Sequence, residues 1–179
     1  MNKIKAYHGN ALAYYEIAYF LKSYLNENTI IICIGTDRCI GDCLGPVVGS
    51  MLVESRFPLP VFGTISEPIH ALNIDKKLEK IRSQYPNASI IGVDACIGDE
   101  NSIGEIQARD TPIQPGRGVG KSLQSVGDVS IIGIVDSNEK DELFTNRNIR
   151  LDLIINMAKV INASLLHSYY LYCNALKSL

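Results

Sequence analysis

Apolar residues occur along this chain either in short continuous runs or at intervals of three and four, a pattern typical of alternating strands and helices. The runs predict five strands, at 29–34, 61–65, 89–93, 103–109 and 129–135. Helical spacing predicts helices over 11–25 and 44–55, a third through Ile74, Leu78, Ile81 and Tyr85, and a fourth from about residue 148. This order of elements predicts an α/β domain of three layers (α/β/α) around a mixed, mostly parallel five-stranded sheet.

The segment 103–109 differs from the other predicted strands, because it alternates apolar and polar residues. Such alternation predicts an edge strand with one face in water. A length of 179 residues suits one domain with a sizeable core, and neither an internal repeat nor a long linker divides the sequence. We therefore predict a single domain over residues 1–179.

Composition narrows the class of protein. The chain is 46% hydrophobic with a formal net charge of −2, and its scattered Lys and Arg residues argue against a nucleic-acid partner. Five cysteines without a secretory signal suggest reduced thiols in the cytoplasm. The segment 151–176 is apolar, but polar residues at helical spacing predict an amphipathic helix with a face for a homo-oligomer, rather than a membrane span.

Two aspartates that follow apolar runs carry the chemical argument. Asp42 comes shortly after the run 30–34, and Asp94 comes directly after the run 90–93. Open α/β sheets bind ligands beyond the carboxyl ends of their strands, so we expect both carboxylates in one crevice. Repulsion between them would raise the pKa of one, giving an acid and a base that could activate a water molecule. The same oxygens could instead hold a divalent metal.

Structural interpretations compete with this hypothesis. Asp42 lies where a helix is predicted to begin, so it could be an N-cap that binds amides of the first turn. Asp94 is harder to explain structurally, because strands disfavour Asp and a carboxylate there needs a partner or water. His70 could line the crevice, or it could lie in the first turn of the third helix.

Two further groups of residues are candidates for a chemical role. Cys39, Cys43 and Cys96 flank the aspartates, so a thiol nucleophile or a soft-metal site is an alternative to a role as small buried residues. Residues 115–122 look like a phosphate-binding loop, but Pro115 stands where that motif requires its first glycine, and no helix is predicted to follow. A glycine-rich loop beside the cleft fits this segment better.

Three motifs together resemble the YyaC-type spore protease family, which is related to the spore germination protease. They are the stretch 35–46 (GTDRCIGDCLGP), the tripeptide 93–95 (VDA) and the stretch 115–120 (PGRGVG). The resemblance implies that Asp42 and Asp94 are the catalytic pair of an atypical aspartic peptidase. The candidates for the lining of the cleft are Thr36, Asp37, Arg38, Glu67, His70 and Gly118.

The wider group includes the hydrogenase-maturation endopeptidases, and the resemblance implies their α/β/α fold as well. Those enzymes bind nickel through acidic residues that match Asp42 and Asp94 and through a histidine. Gly118 and its neighbours stand at the histidine position here. A divalent metal, if one binds, would rest on Asp42 and Asp94.

The resemblance also implies a substrate class and a setting. Small acid-soluble spore proteins are the implied substrates, and the forespore or spore core is the implied compartment. The leading hypothesis is a sporulation-associated peptidase in which Asp42 and Asp94 activate water. Two alternatives stay open, namely a non-catalytic sporulation protein that binds a partner on the same fold, and a metal-dependent endopeptidase.

Overall fold

The computed structural model of the protein describes residues 2–115, 124–137 and 148–177. These residues form one mixed sheet of six strands together with four α-helices. The strands are β1 (Lys3–Tyr7), β2 (Thr29–Cys33), β3 (Val61–Phe62), β4 (Ser89–Gly98), β5 (Glu105–Arg109) and β6 (Val129–Ser137). The helices are α1 (Ala13–Leu21), α2 (Leu44–Glu54), α3 (Ile74–Gln84) and α4 (Leu151–Lys177).

The strands lie in the order β1-β5-β6-β4-β2-β3. Strands β3, β2, β4 and β6 are parallel to their neighbours in this series, whereas β5 is antiparallel to both β6 and β1. The prediction of an α/β protein with a mixed, mostly parallel sheet is confirmed. The carboxyl ends of β2, β4 and β6 meet at one edge of the sheet, as the placement of the aspartates requires.

The predicted number of five strands is wrong, because β1 was missed. Only Ala6 of this strand is buried, while Lys3, Lys5 and Tyr7 are exposed. A strand that pairs on one side and faces solvent with most of its side chains carries little apolar signal in the sequence. Its pairing with β5 depends on residues a hundred positions away, with Lys3 opposite Arg109.

The prediction that 103–109 forms an edge strand is also wrong. Strand β5 lies between β1 and β6, and its three central residues are buried. One of them is Gln107, a polar residue that the alternating pattern would have placed in water. Its side chain is instead hydrogen-bonded to Glu105 and Arg109 along the same strand, which compensates for the burial.

Residues of β2 face two separate clusters of buried side chains. Ile31 and Cys33 pack with residues of α1, α2 and α4, whereas Ile30, Ile32 and Ile34 pack with residues of α3. This alternation follows from the two-residue period of a strand. Every residue of β2 is therefore buried, which explains its continuous apolar run.

Helix α2 begins directly against the carboxyl end of β2. A Cβ atom added to Gly45 would lie 2.1 Å from the Ile34 carbonyl oxygen, so only glycine permits this approach. Pro46 occupies the first turn of the helix, where its missing N–H is not needed. The loop that leads into α2 is consequently held over the end of the sheet.

Strand β4 is longer than predicted. It continues to Gly98 beside β6, with an irregularity of register between Cys96 and Ile97. Asp94 therefore lies within the strand, opposite Ile132, rather than beyond its end. The prediction stopped too early because the apolar run stops at Val93, while pairing with β6 supplies the structure that follows.

Helix α4 is close to its prediction, beginning at Leu151 and ending at Lys177. Its buried residues recur at helical spacing and include Ile154, Met157, Ile161 and Leu165, which pack with α1 and α2. A search of the described residues found no helix with the length and apolarity needed to cross a bilayer.

Candidate functional site

The short segment from Ile34 to Thr36 joins three parts of the chain by backbone hydrogen bonds. The Ile34 N–H donates to the Val93 carbonyl oxygen of β4 at 2.8 Å, and the Gly35 N–H donates to the Ile69 carbonyl oxygen at 2.7 Å. The Thr36 N–H donates to the Asp42 carbonyl oxygen at 3.0 Å. The residue before Asp94, the turn that carries Asp42 and the loop before α3 therefore converge at the end of β2.

Gly35 permits this convergence. Its φ of +138° lies in the region that side chains rarely adopt, and a Cβ atom would lie 2.0 Å from the Asp42 carbonyl oxygen. We expect Gly35→Ala to lower the free energy of unfolding by about 2 kcal/mol or more, since the backbone at Asp42 must move. Chemical denaturation measures this loss.

Gly9→Ala is the matched control for that substitution. Its added Cβ would meet only the ring of the exposed Tyr7, at 2.9 Å, and that ring can turn aside. Equal stabilities of Gly35→Ala and Gly9→Ala would contradict the role given to Gly35.

Asp42 is the last residue of a short 3₁₀ turn, Ile40–Asp42, that precedes α2. The interpretation of Asp42 as the N-cap of this helix is wrong, because Cys43 holds the N-cap position and no side chain caps the helix there. The Cys43 N–H donates to the Ile40 carbonyl oxygen and closes the 3₁₀ turn, and α2 begins after Cys43, at Leu44. The Asp42 carboxyl is therefore not used to begin the helix.

The protein environment changes the acidity of Asp42. Burial raises the pKa of its carboxyl to about 6, and a hydrogen bond from the Thr36 backbone opposes that rise. Burial acts in this direction because the charged form loses more hydration than the neutral form. Part of the residue still reaches solvent. Asp42 therefore titrates close to neutrality at a place that water can reach.

Asp94 is partly buried. Its side chain shares a face of β4 with Ile90, which packs against α3. The Ala95 N–H donates to the Asp94 Oδ1 atom at 2.8 Å. Burial, and then the negative charge of Asp42, raise the pKa of Asp94 well above its usual value, while the Ala95 hydrogen bond opposes the rise.

The negative charge of Asp42 contributes to the raised pKa of Asp94. The sequence predicts that the two carboxyls, from segments more than fifty residues apart, share one crevice, and this stays a prediction. Two carboxyls that repel each other titrate in two separate steps that belong to the pair. Because the charge of Asp42 adds to the rise in the pKa of Asp94, the neutral form is favoured at Asp94 within the pair.

The other predicted lining residues divide into two groups. Thr36 is partly buried, and its backbone contacts Asp42, whereas Asp37 and Arg38 are exposed in the same loop. Glu67 is exposed and forms an ion pair with Lys77 at 3.5 Å. Gly118 lies outside the described residues. Of the lining candidates, Thr36 is thus the one whose contact with the aspartate pair is established.

His70 lies in the turn that precedes α3, four residues before the helix begins at Ile74, so its interpretation as a first-turn residue of this helix is wrong. Its N–H donates to the Asn73 Oδ1 atom at 2.9 Å, and the Asn73 Nδ2 atom lies 3.4 Å from His70 Nε2. Asn73 is the N-cap residue of α3. The imidazole is therefore engaged with its own turn, although Ile69 beside it is bound to Gly35.

The described residues do not form a complete metal site. Within them, no three His, Cys, Asp or Glu side chains come together as a group that could hold an ion. A catalytic zinc-type site uses three protein ligands and an open position, and Asp42 with Asp94 supplies two.

The thiols near the aspartates divide by environment. Burial, with smaller contributions from the nearby Cys39 and Asp42, raises the pKa of Cys43 to about 11. Burial also raises the pKa of Cys33. A nucleophilic cysteine needs a lowered pKa and access to substrate, so Cys33 and Cys43 are structural thiols. Of the three thiols that flank the aspartates, Cys43 has the predicted role of a small buried side chain, whereas Cys39 is partly buried and Cys96 is exposed.

Asp136, which the sequence analysis did not consider, is a third buried acid at this end of the sheet. It lies on β6 opposite Ile97 and is 4% exposed, and the Ser137 N–H donates to its Oδ1 atom at 2.8 Å. The same signal that identified Asp94, an aspartate directly after an apolar run, occurs at Val135-Asp136. That signal would have found it.

Two shallow depressions lie at the opposite end of the sheet, near the starts of β2 and β4. They are lined by loop residues that include Asn28, Tyr85 and Asp128, and neither includes Asp42 or Asp94. The Asp128 Oδ2 atom already accepts a hydrogen bond from the Ile90 N–H at 2.9 Å. We place the functional site at the aspartates, because perturbed acids near each other are more typical of chemistry than an open groove with satisfied polar groups.

Comparisons with known proteins agree with the motifs. A family model described as "Protein of unknown function (DUF1256)" matches residues 5–164. The chain is also similar to the protein named "Uncharacterized protein YyaC" from Bacillus subtilis (strain 168), with 41% identity over 166 residues, 89% of this chain and 81% of that relative. The predicted relationship to YyaC is confirmed, and the relationship to peptidases stays a prediction.

Proposed function

This chain belongs to the DUF1256 family, and we propose that it is a peptidase in which Asp42 and Asp94 share one proton and hydrolyse a peptide bond. The observation that supports the proposal is the convergence of both aspartates at the end of β2, where the Ile34 N–H binds the residue before Asp94 and the Thr36 N–H binds Asp42. Two identical side chains whose surroundings give them different protonation states provide a base and an acid at the same pH.

In the first step, the Asp42 carboxylate accepts a proton from a water molecule while the water oxygen bonds to the carbonyl carbon of the peptide. The protonated Asp94 donates its proton to the carbonyl oxygen, so that a tetrahedral diol forms without a full negative charge. Holding acid, base and water together is what makes the attack fast.

In the second step, the bond between carbon and nitrogen breaks. Asp42 gives its proton to the leaving nitrogen, and one hydroxyl of the diol returns a proton to Asp94. The products are an amine and a carboxylic acid, and the pair returns to its starting protonation state. The backbone N–H groups of Thr36 and Ala95 hold the two carboxyls in place throughout.

We extend the proposal to the finer class of the fold and to the setting. Helices pack with both sets of strand residues, which supports the three-layer arrangement of the hydrogenase-maturation type. The motif resemblance supports small acid-soluble spore proteins as substrates and the forespore or spore core as the compartment.

The pH dependence of cleavage follows from the two carboxyls. Since Asp42 must be ionised to accept a proton, kcat/KM is expected to rise about tenfold per pH unit below a pKa of about 6 and to level off above it. At higher pH it falls again, once Asp94 loses its proton. A profile measured from pH 4 to 9 that stays flat between pH 5 and 7 would contradict the assignment of Asp42 as the base.

The proposal is tested by incubating the purified protein with small acid-soluble spore proteins, with and without a chelator, and identifying fragments by mass spectrometry. Cleavage that survives the chelator supports the aspartate mechanism. Cleavage that the chelator removes indicates the metal-dependent endopeptidase. Intact substrates that nevertheless bind the protein indicate the non-catalytic binding protein and overturn the proposal.

A further inference from the structure

Helices α1 and α4 carry a contiguous cluster of exposed aromatic side chains. The ring centre of His167 on α4 lies 5.6 Å from those of Tyr14 and Tyr15 on α1. The same imidazole stacks on Tyr170 at 5.8 Å, and Tyr15 lies 6.2 Å from Tyr19. The four tyrosines are between 37% and 59% exposed. We call these five residues the aromatic surface.

The aromatic surface is not needed to hold α1 on the protein. The opposite face of α1, with Ala13, Ile17 and Leu21, is buried and packs with α4 in the core. Within the part of the chain that the structure describes, the buried His167 Nε2 atom has no hydrogen-bond partner. An unpartnered polar atom of this kind costs free energy, so the stability of a single chain does not account for the cluster.

The aromatic surface has the size of a contact between proteins. A whole tyrosine side chain presents about 150 to 250 Å², so the exposed parts of the four rings together offer roughly 400 Å². Leu12, which is 59% exposed and lies one turn before Tyr15, extends the surface along α1. A standard interface buries about 800 Å² on each partner. The surface therefore suits an interface at the lower end of the range for stable complexes.

The charges beside the aromatic surface favour a second copy of this chain as the partner. Glu16 lies three residues before Tyr19, and Lys22, directly after α1, lies three residues beyond it. Residues three apart share a face of a helix, and the Lys22 Nζ atom lies 3.5 Å from the centre of the Tyr19 ring. When two copies of α1 pack antiparallel about an axis at Tyr19, Glu16 of each copy lies opposite Lys22 of the other. This contact is self-complementary, as a two-fold dimer requires.

We propose that the aromatic surface, together with Leu12, Glu16 and Lys22, is the two-fold interface of a homodimer in which the two α1 helices are antiparallel. The homo-oligomer face predicted for the last helix thus includes α1 as well. This inference does not rest on the proposed peptidase function. Helices α1 and α4 pack on the side of the sheet opposite to the Asp94 side chain, so the dimer leaves the side with Asp94 uncovered.

Sedimentation velocity tests the proposal over protein concentrations from about 1 to 500 µM, where we expect a dimer with a dissociation constant of the order of 10 µM. Tyr19→Ala is expected to raise that constant about thirtyfold, because truncating a central aromatic residue costs the most affinity. Tyr7→Ala, at an equally exposed tyrosine of β1, is the matched control and leaves the constant unchanged. A parent protein that stays monomeric, or a dimer that Tyr19→Ala does not weaken, would overturn the proposal.

Two charge variants test the antiparallel arrangement. Glu16→Lys alone and Lys22→Glu alone each place like charges opposite one another, so each is expected to raise the dissociation constant about tenfold. A one-to-one mixture of the two variants restores opposite charges at both contacts and should form a heterodimer about tenfold tighter than either variant alone. Circular dichroism checks that both variants keep the parent fold. A mixture that dimerises no more tightly than its components would overturn the two-fold contact, and with it the proposal.

Discussion

Asp94→Asn and Asp42→Asn are each expected to lower kcat/KM for peptide cleavage by about 10² to 10⁴-fold, the range by which a positioned acid or base accelerates a reaction. Asn at position 94 can still accept the Ala95 N–H, but it has no acidic proton to transfer to the carbonyl oxygen. Asn at position 42 cannot take the proton of the attacking water. Initial rates with a spore-protein substrate measure both losses.

Asp99→Asn is the matched control for these two variants, because Asp99 is an exposed acid five residues beyond Asp94. It is expected to cleave at the parent rate. Since Asp42 and Asp94 act as one unit, the double variant should lose little more than either single variant. Parent-like cleavage by Asp42→Asn or Asp94→Asn, with folding verified by circular dichroism, would show that the pair is not catalytic.

Asp42→Asn is also expected to stabilise the fold at neutral pH. The pKa of Asp42 is raised from 3.8 to about 6 in the folded protein, so between these values the folded state holds a proton that the unfolded chain has lost. Stability therefore falls as the pH rises from about 4 to about 6, at about 1.36 kcal/mol per pKa unit. The loss of stability over this pH range is at most about 3 kcal/mol. Because Asn has no charge, Asp42→Asn does not suffer this loss.

Denaturant unfolding at pH 4 and pH 7.5 measures this effect. At pH 4 the free energy of unfolding of the variant should equal that of the parent, because Asp42 is then neutral. At pH 7.5 it should exceed that of the parent, because Asp42 is then charged and Asn is not. Asp37→Asn, an exposed acid of the same loop, should change little at either pH. A variant less stable than the parent at pH 7.5 would instead identify the Asp42 carboxylate as a structural ligand.

Strands that are buried along their whole length could be predicted from the sequence. Strand β2 is buried along its whole length, so its apolar run identified it with few alternatives. The run before Asp94 identified the next parallel strand, although β4 continues past Asp94 to Gly98. The shared crevice of Asp42 and Asp94 is expected because parallel strands bring their carboxyl ends to one edge, and it stays a prediction.

The errors arose where tertiary contacts overrule the local pattern. Strand β1 forms because it pairs with β5. Its charged and exposed residues give no sign of that pairing in the sequence. Gln107 can be buried because neighbouring side chains form hydrogen bonds with its amide group. The alternating pattern of apolar and polar residues does not reveal these hydrogen bonds. The N-cap interpretation of Asp42 failed because Asp42 belongs to a 3₁₀ turn and Cys43 takes the N-cap position of α2. The role of Gly35 depends on a contact with Asp42 that becomes visible only in three dimensions.

The most direct test of the account is a ¹³C NMR titration of the aspartate carboxyls in the intact protein. It should show the Asp42 carboxyl titrating near pH 6 and the Asp94 carboxyl titrating well above the ordinary range of aspartate. In Asp42→Asn the pKa of Asp94 should fall, because a neighbouring negative charge has been removed. Two carboxyls that titrate independently near pH 4, with Asp94 unchanged by Asp42→Asn, would contradict a shared site.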